Sequence, residues 1–205
     1  MQKFELIAEP GEYLKRIRAV RTFGPIKEGD LGGLVEREDN LSHDGQCWIG
    51  YNAQCVGHAK IMDAAQLNGN AVAFGFCLIS EFATVTDSAM VGGYADIKGR
   101  ATVGGAARVL GSCTVEGSVL LTGSCRVSEG AVIRERATIQ GSSHVFGAAV
   151  CYGDCVVDEG AHVEGDAKVY GRGRVAGAAR LKTGEVKGNE VVTVTPEDAP
   201  KGVAR

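Results

Sequence analysis

Residues 83–106 read ATVTDS, AMVGGY, ADIKGR and ATVGGA, and hexads of this form repeat 23 times without an insertion over residues 47–184. The first position of the hexad is Ala 15 times and Cys five times, and the third is Val, Ile or Leu in all but three hexads. The fifth position is Gly in 15 hexads and Asp or Glu in most of the others. A short period sustained over this length is typical of solenoid proteins, so the period decides the fold.

The alternation within the hexad predicts a short strand followed by a corner. Positions one and three lie two residues apart, so on an extended chain they share one face, which we expect to point inward. Positions two and four carry variable residues and should point outward. Gly or an acidic residue at position five bends the chain before the next strand, because Gly tolerates backbone angles that other residues avoid.

An aliphatic residue followed four positions later by a small one occurs throughout the repeat, as in Val85 and Ala89 or Val163 and Ala167. This pattern resembles the hexapeptide-repeat, left-handed β-helix superfamily. The resemblance implies an all-β fold, a single-stranded left-handed parallel β-helix. Each triangular coil of that helix holds three hexads, or 18 residues, so residues 47–184 would form between seven and eight coils.

The first 46 residues do not follow the hexad, and we expect them to cap the open end of the solenoid. The chain therefore divides into a capping segment (1–46), the β-helix (47–184), and a final strand with a mobile tail (185–205). In the cap, residues 3–8 and 31–35 read as strands, and residues 13–23 as a strand or a short helix.

The run GDLGGLVEREDNLSHDGQCWIG at residues 29–50 resembles the entry segment of bacterial and prophage β-helix proteins, which carry the name acyltransferase on the grounds of their fold alone. That resemblance implies a phage or prophage origin. It offers no catalytic residue to transfer.

Composition limits the functional classes. The net charge is −3 and no apolar run approaches 18 residues, so we expect a cytoplasmic protein that neither spans a membrane nor binds nucleic acid broadly. No charged and then apolar leader follows Met1. The seven cysteines fall on inward positions of the repeat and lack zinc-site spacing, which predicts packing and no metal site.

One outward column of the predicted helix is basic. Its members stand at position two, one coil apart, and are Arg108, Arg126, His144, His162 and Arg180. Like charges stacked on neighbouring strands repel, and a bound anion would relieve that repulsion. The column therefore favours a non-catalytic binding or scaffold protein that recognises an anionic small molecule or an acidic protein, without a resident cofactor.

The alternative is a trimeric acyltransferase that uses acyl-CoA. In hexapeptide acyltransferases a His usually acts as general base at a cleft between subunits, and here His144 or His162 would take that role. Such enzymes usually interrupt their coils with an extruded loop, and no hexad here is interrupted.

A second surface feature is apolar and predicts an interface. Its residues occupy two outward columns beside one corner and are Val56, Phe74, Phe76, Tyr94 and Leu110. Either the N-terminal segment folds over this corner or another subunit of a trimer or dimer does, and we favour the N-terminal segment.

Overall fold

The computed structural model describes residues 2–8 and 11–194, which form a parallel β-solenoid with three sheets around one core. The predicted mobile tail, residues 196–205, lies outside the described residues. The helical content of the described chain is one 3-10 turn at Glu38–Asn40, and no helix in it is long and apolar enough to cross a bilayer.

The strands of the three sheets follow one another in rotation along the chain. Sheet 1 contains Phe4–Ile7, Lys15–Ala19, Leu31–Val35, Gln54–Cys55, Val72–Ala73, Met90–Val91, Arg108–Val109, Arg126–Val127, His144–Val145, His162–Val163 and Arg180–Leu181. Sheet 2 contains Lys60–Ile61, Leu78–Ile79, Asp96–Ile97, Thr114–Gly117, Val132–Glu135, Val150–Gly153, Lys168–Gly171 and Glu185–Val186. Sheet 3 contains Trp48–Ile49, Gln66–Leu67, Thr84–Val85, Thr102–Val103, Leu120–Leu121, Thr138–Ile139, Val156–Val157, Arg174–Gly177 and Val191–Val194.

The register between coils is constant through the repeat. Residue pairs such as Thr84 and Thr102 lie 18 positions apart on neighbouring parallel strands. The first coil is longer, since Leu34 pairs with Gln54, and the last is shorter, since Lys168 pairs with Glu185. The predicted fold class is confirmed, but the solenoid has about nine coils because strands outside residues 47–184 extend the sheets at both ends.

The core consists of positions one and three of the hexads. These side chains are almost all fully buried, with Leu181 of the last hexad half-buried. All seven cysteines are buried and unpaired in these inward positions. Burial raises the pKa of Cys77, Cys113 and Cys125 to about 11, so these thiols stay protonated and unreactive at neutral pH.

The corners depend on position five. All 15 glycines at this position have a positive φ, and so do the six acidic residues that replace glycine there. An acidic side chain can also join successive coils, because the backbone N–H of Gly105 donates to Asp87 Oδ2 at 2.7 Å. Acidic residues at position five therefore accept a strained backbone and link one corner to the next.

The N-terminal segment extends sheet 1 at its first edge. Lys15–Ala19 pairs antiparallel with both Phe4–Ile7 and Leu31–Val35, so the short-helix alternative for residues 13–23 is wrong. Lys3, just before the first strand of this segment, is fully buried, and its Nζ donates a hydrogen bond to the carbonyl oxygen of Cys47 at 3.0 Å.

Replacing a glycine at one corner and introducing a glycine at the next corner tests whether position five imposes backbone strain. A Cβ on Gly117 would lie 2.7 Å from the carbonyl oxygen of Glu135 and would meet a φ of +97°, so Gly117→Ala should lower the free energy of unfolding by about 2 kcal/mol. Glu135 has a φ of +63°, so Glu135→Gly should raise it by up to about 1 kcal/mol. Urea unfolding measures both, and a destabilised Glu135→Gly would contradict the account.

Candidate anion-binding face

The structure places all five predicted anion-binding residues in one column on the outside of sheet 1. Arg108 pairs with Arg126, Arg126 with His144, His144 with His162, and His162 with Arg180. Neighbouring members are separated by the strand spacing, ~4.8 Å, so the column is ~19 Å long. We call these five residues the basic row.

The arginines of the basic row differ from most arginines on the other faces in having no carboxylate partner. Within residues 2–8 and 11–194, no ion pair or hydrogen bond joins the guanidinium groups of Arg108, Arg126 and Arg180 to another side chain. By contrast, Arg136 at the corner after sheet 2 lies 2.7 Å from Asp154, and Arg174 on sheet 3 lies 2.7 Å from Asp158. The positive charge of the basic row is therefore available to a ligand.

His144 has the most contacts in the row. Its Nε2 lies 3.0 Å from the hydroxyl oxygen of Ser128, and its ring centroid lies 4.4 Å from that of Phe146. The ring of His162 meets it edge-on at 5.8 Å. Ser128 and Phe146 were absent from the predicted site, although their position-four register places them on the same face.

Burial is the main cause that lowers the pKa of His144, and the charges of His162 and Arg126 lower it further. Glu129 and Glu164 act in the opposite direction. His144 is therefore neutral at neutral pH, and an anion beside it would stabilise its protonated form.

Glu164 is the acidic member of this surface. Its side chain is mostly buried, and its Oε1 lies 3.3 Å from the Nζ of Lys182. That oxygen nevertheless accepts no hydrogen bond from the described residues, so the contact with Lys182 is an ion pair without good hydrogen-bond geometry. Lys182 thus offsets the one carboxylate that stands beside His162 in sequence.

The predicted apolar interface lies on the N-terminal coils of the same sheet. Phe76 stacks between His58 and Tyr94, with ring centroids 4.9 and 5.1 Å apart. Phe74 lies over Gly92, where a Cβ would come 2.3 Å from the ring.

The N-terminal segment does not cover this corner. Phe76 is 54% exposed and Tyr94 is 66% exposed. The prediction that the segment folds over them is wrong, because its strands continue the backbone hydrogen bonding of sheet 1 instead of packing on the outer face. Glu36 of this segment does reach the first corner, where it accepts a hydrogen bond from the N–H of Gly57 at 2.7 Å.

Two grooves lie on the first coils of the solenoid, away from the two histidines of the basic row. One of about 420 Å³ lies between the 3-10 turn and Lys60, and one of about 510 Å³ lies beside Phe82. Neither groove is lined by His144 or His162. Arg108, Arg126 and Arg180 are exposed and the two histidines are half-buried, so the basic row lies on the open surface of the sheet.

No protein-family model matches this chain. A stretch of 63 residues is 35% identical to Uncharacterized acetyltransferase YdcK of Escherichia coli strain K12. The aligned stretch covers 30% of this chain and 19% of that protein, so the chain spans about a fifth of that relative's length. The similarity and the β-solenoid both fit a hexapeptide-repeat β-helix.

Two substitutions should move the pKa of His144 in opposite directions. Arg126→Gln removes a neighbouring positive charge and should raise it, whereas Glu129→Gln removes a negative one and should lower it further. Titration of the imidazole by NMR measures both shifts.

The lowered pKa of His144 in the native protein makes the stability of the fold depend on pH. The folded chain binds this proton less readily than the unfolded chain, so the stability contributed by neutral His144 is present above the ordinary His pKa of ~6.5 and is lost as the pH falls below it. A pKa of His144 at or above its ordinary value in the native protein would contradict this description of the site.

Proposed function

We propose that this protein is a binding module whose basic row recognises an anion, either a small molecule or an acidic protein. The observation that carries the proposal is the absence of carboxylate partners for Arg108, Arg126 and Arg180 within the described chain, in a protein whose net charge is −3. Other surface arginines of the solenoid do have such partners.

The register of the solenoid supports this proposal. Parallel pairing fixes the backbones of Arg108 and Arg126 one strand spacing apart, so the two charged side chains remain neighbours on one face. Their mutual repulsion is screened by water and salt, yet it persists as long as the coils stay stacked. An anion that touches two rungs removes that repulsion and forms charge-assisted hydrogen bonds.

The hydrogen bond between Ser128 and His144 gives the row a neutral, oriented group at its centre. Protonation of His144 adds a positive charge between Arg126 and His162, next to any bound anion. Anion affinity should therefore increase as the pH falls from 8 to 6.

Pyrophosphate is a suitable probe for the row. Arg126→Gln should weaken pyrophosphate binding about tenfold in isothermal titration calorimetry, a loss of about 1.4 kcal/mol. Arg136→Gln removes the same charge from the corner after sheet 2 and is the matched control, so it should bind like the native protein. Equal affinities of the native protein and Arg126→Gln would refute the proposal.

Acyl transfer is the second candidate, and two observations favour it. The E. coli relative carries the name acetyltransferase, and His144 is neutral at neutral pH, as a general base must be. In that case acyl-CoA would be a substrate, His144 or His162 would be the base, and a trimer would complete the cleft. The uninterrupted coils and the open surface around His144 favour binding over catalysis.

Acetyl-CoA turnover separates the two candidates. The binding proposal predicts that release of free CoA stays at the uncatalysed rate over a range of amine and hydroxyl acceptors, and that sedimentation shows no acyl-CoA-dependent trimer. A turnover that is abolished by His144→Gln or His162→Gln, and retained in the surface variant Arg136→Gln, would establish acyl transfer instead.

A further inference from the structure

The basic row and the apolar corner belong to one continuous outer face of sheet 1. In the column of position two, Val72 and Met90 directly precede Arg108. In the column of position four, Val56 and Phe74 stand on the first two coils of the repeat in this sheet, and Leu110 stands on the coil of Arg108. Each lies two residues after a strand-pairing residue of this sheet. The face thus changes from apolar to basic along the solenoid axis, and we call its N-terminal part the apolar half, formed by Val56, Val72, Phe74, Met90 and Leu110.

The apolar half is a contiguous, uncharged surface. All five of its side chains are half-buried and none is charged. Gly92 is buried, and the ring of Phe74 from the preceding coil occupies the space that a side chain at Gly92 would fill. The exposed rings of Phe76 and Tyr94 border this half at the corner. Contiguous apolar surface of this kind on a soluble domain usually marks a binding site.

The length of the face argues for an elongated ligand. Val72 and Arg180 are separated by six strand spacings, ~29 Å at ~4.8 Å each. An anion of the size of pyrophosphate reaches two neighbouring rungs and leaves the apolar half uncovered. An extended peptide rises ~3.3 Å per residue, so about nine residues would span the whole distance.

Charge argues against a second copy of this chain as the occupant. A two-fold axis parallel to the solenoid axis would stack one basic row on the other. A two-fold axis that lies in the plane of the face, at right angles to the solenoid axis, would lay the basic row of one copy on the apolar half of its partner. There the guanidinium groups of Arg108 and Arg126 would lose water without gaining a counter-ion. Both arrangements are costly, whereas an acidic partner complements the row.

We propose that this face docks an acidic segment of another protein. Its apolar side chains pack on Phe74, Leu110 and the bordering ring of Phe76, and its carboxylates pair with Arg108, Arg126 and Arg180. The inference rests on the proposed anion recognition and adds the class of partner and its orientation. Packing on the apolar half supplies affinity, and the basic row sets the direction in which the segment lies.

Two synthetic peptides of about ten residues test this inference. The first begins with Leu and Phe and continues into a run of Glu, and the second has Ser in place of Leu and Phe. In fluorescence anisotropy the native protein should bind the first peptide at least tenfold more tightly than the second. Leu110→Ser and Phe76→Ser should each remove at least half of that preference, and each should leave pyrophosphate affinity unchanged.

Phe82→Ser is the matched control, because Phe82 is an exposed aromatic residue, 64% accessible, at a corner away from this face. It should bind both peptides like the native protein, and circular dichroism should show all three variants folded. If the native protein binds the two peptides with equal affinity and its pyrophosphate binding still depends on Arg126, the docking inference is wrong and the proposed function is not affected. Loss of that dependence on Arg126 would refute the proposed function instead.

Discussion

The hydrogen bonds between successive coils are the interaction on which the rest of this structure depends. Each short strand contributes its N–H and C=O groups to the strands one coil before and one coil after, as Arg126 does between Arg108 and His144. Because the offset is 18 residues throughout the repeat, every outward position becomes a straight column. Outward residues that are three hexads apart in the sequence therefore lie side by side on one face.

The same constraint explains the composition of the corners. A Cβ at a stacked corner is crowded, since one built on Gly93 would lie 2.8 Å from the backbone nitrogen of Gly111. Where an acidic residue takes this place, its carboxylate can accept the N–H of the next corner, as Glu81 does from Gly99 at 3.2 Å. The chain accepts the strained backbone because the corner also holds neighbouring coils together.

Much of this arrangement could be predicted from the hexad alone. The register, the inward cysteines and the column of Arg108 to Arg180 follow from counting, because a constant period transfers directly to space. The capping segment has no period, so the length of the first coil and the course of residues 13–23 were beyond that reasoning. The contact of Ser128 with His144 also required side-chain positions, since a shared face does not determine which rotamers meet.

Binding of an anion along sheet 1 is the central claim, and chemical-shift mapping tests it most directly. In 1H–15N spectra of the native protein, pyrophosphate should shift the backbone amides of at least two neighbouring strands between Arg108–Val109 and Arg180–Leu181. It should leave the amides of sheets 2 and 3 in place. Shifts confined to the grooves of the first coils, or spread evenly over the three sheets, would contradict it.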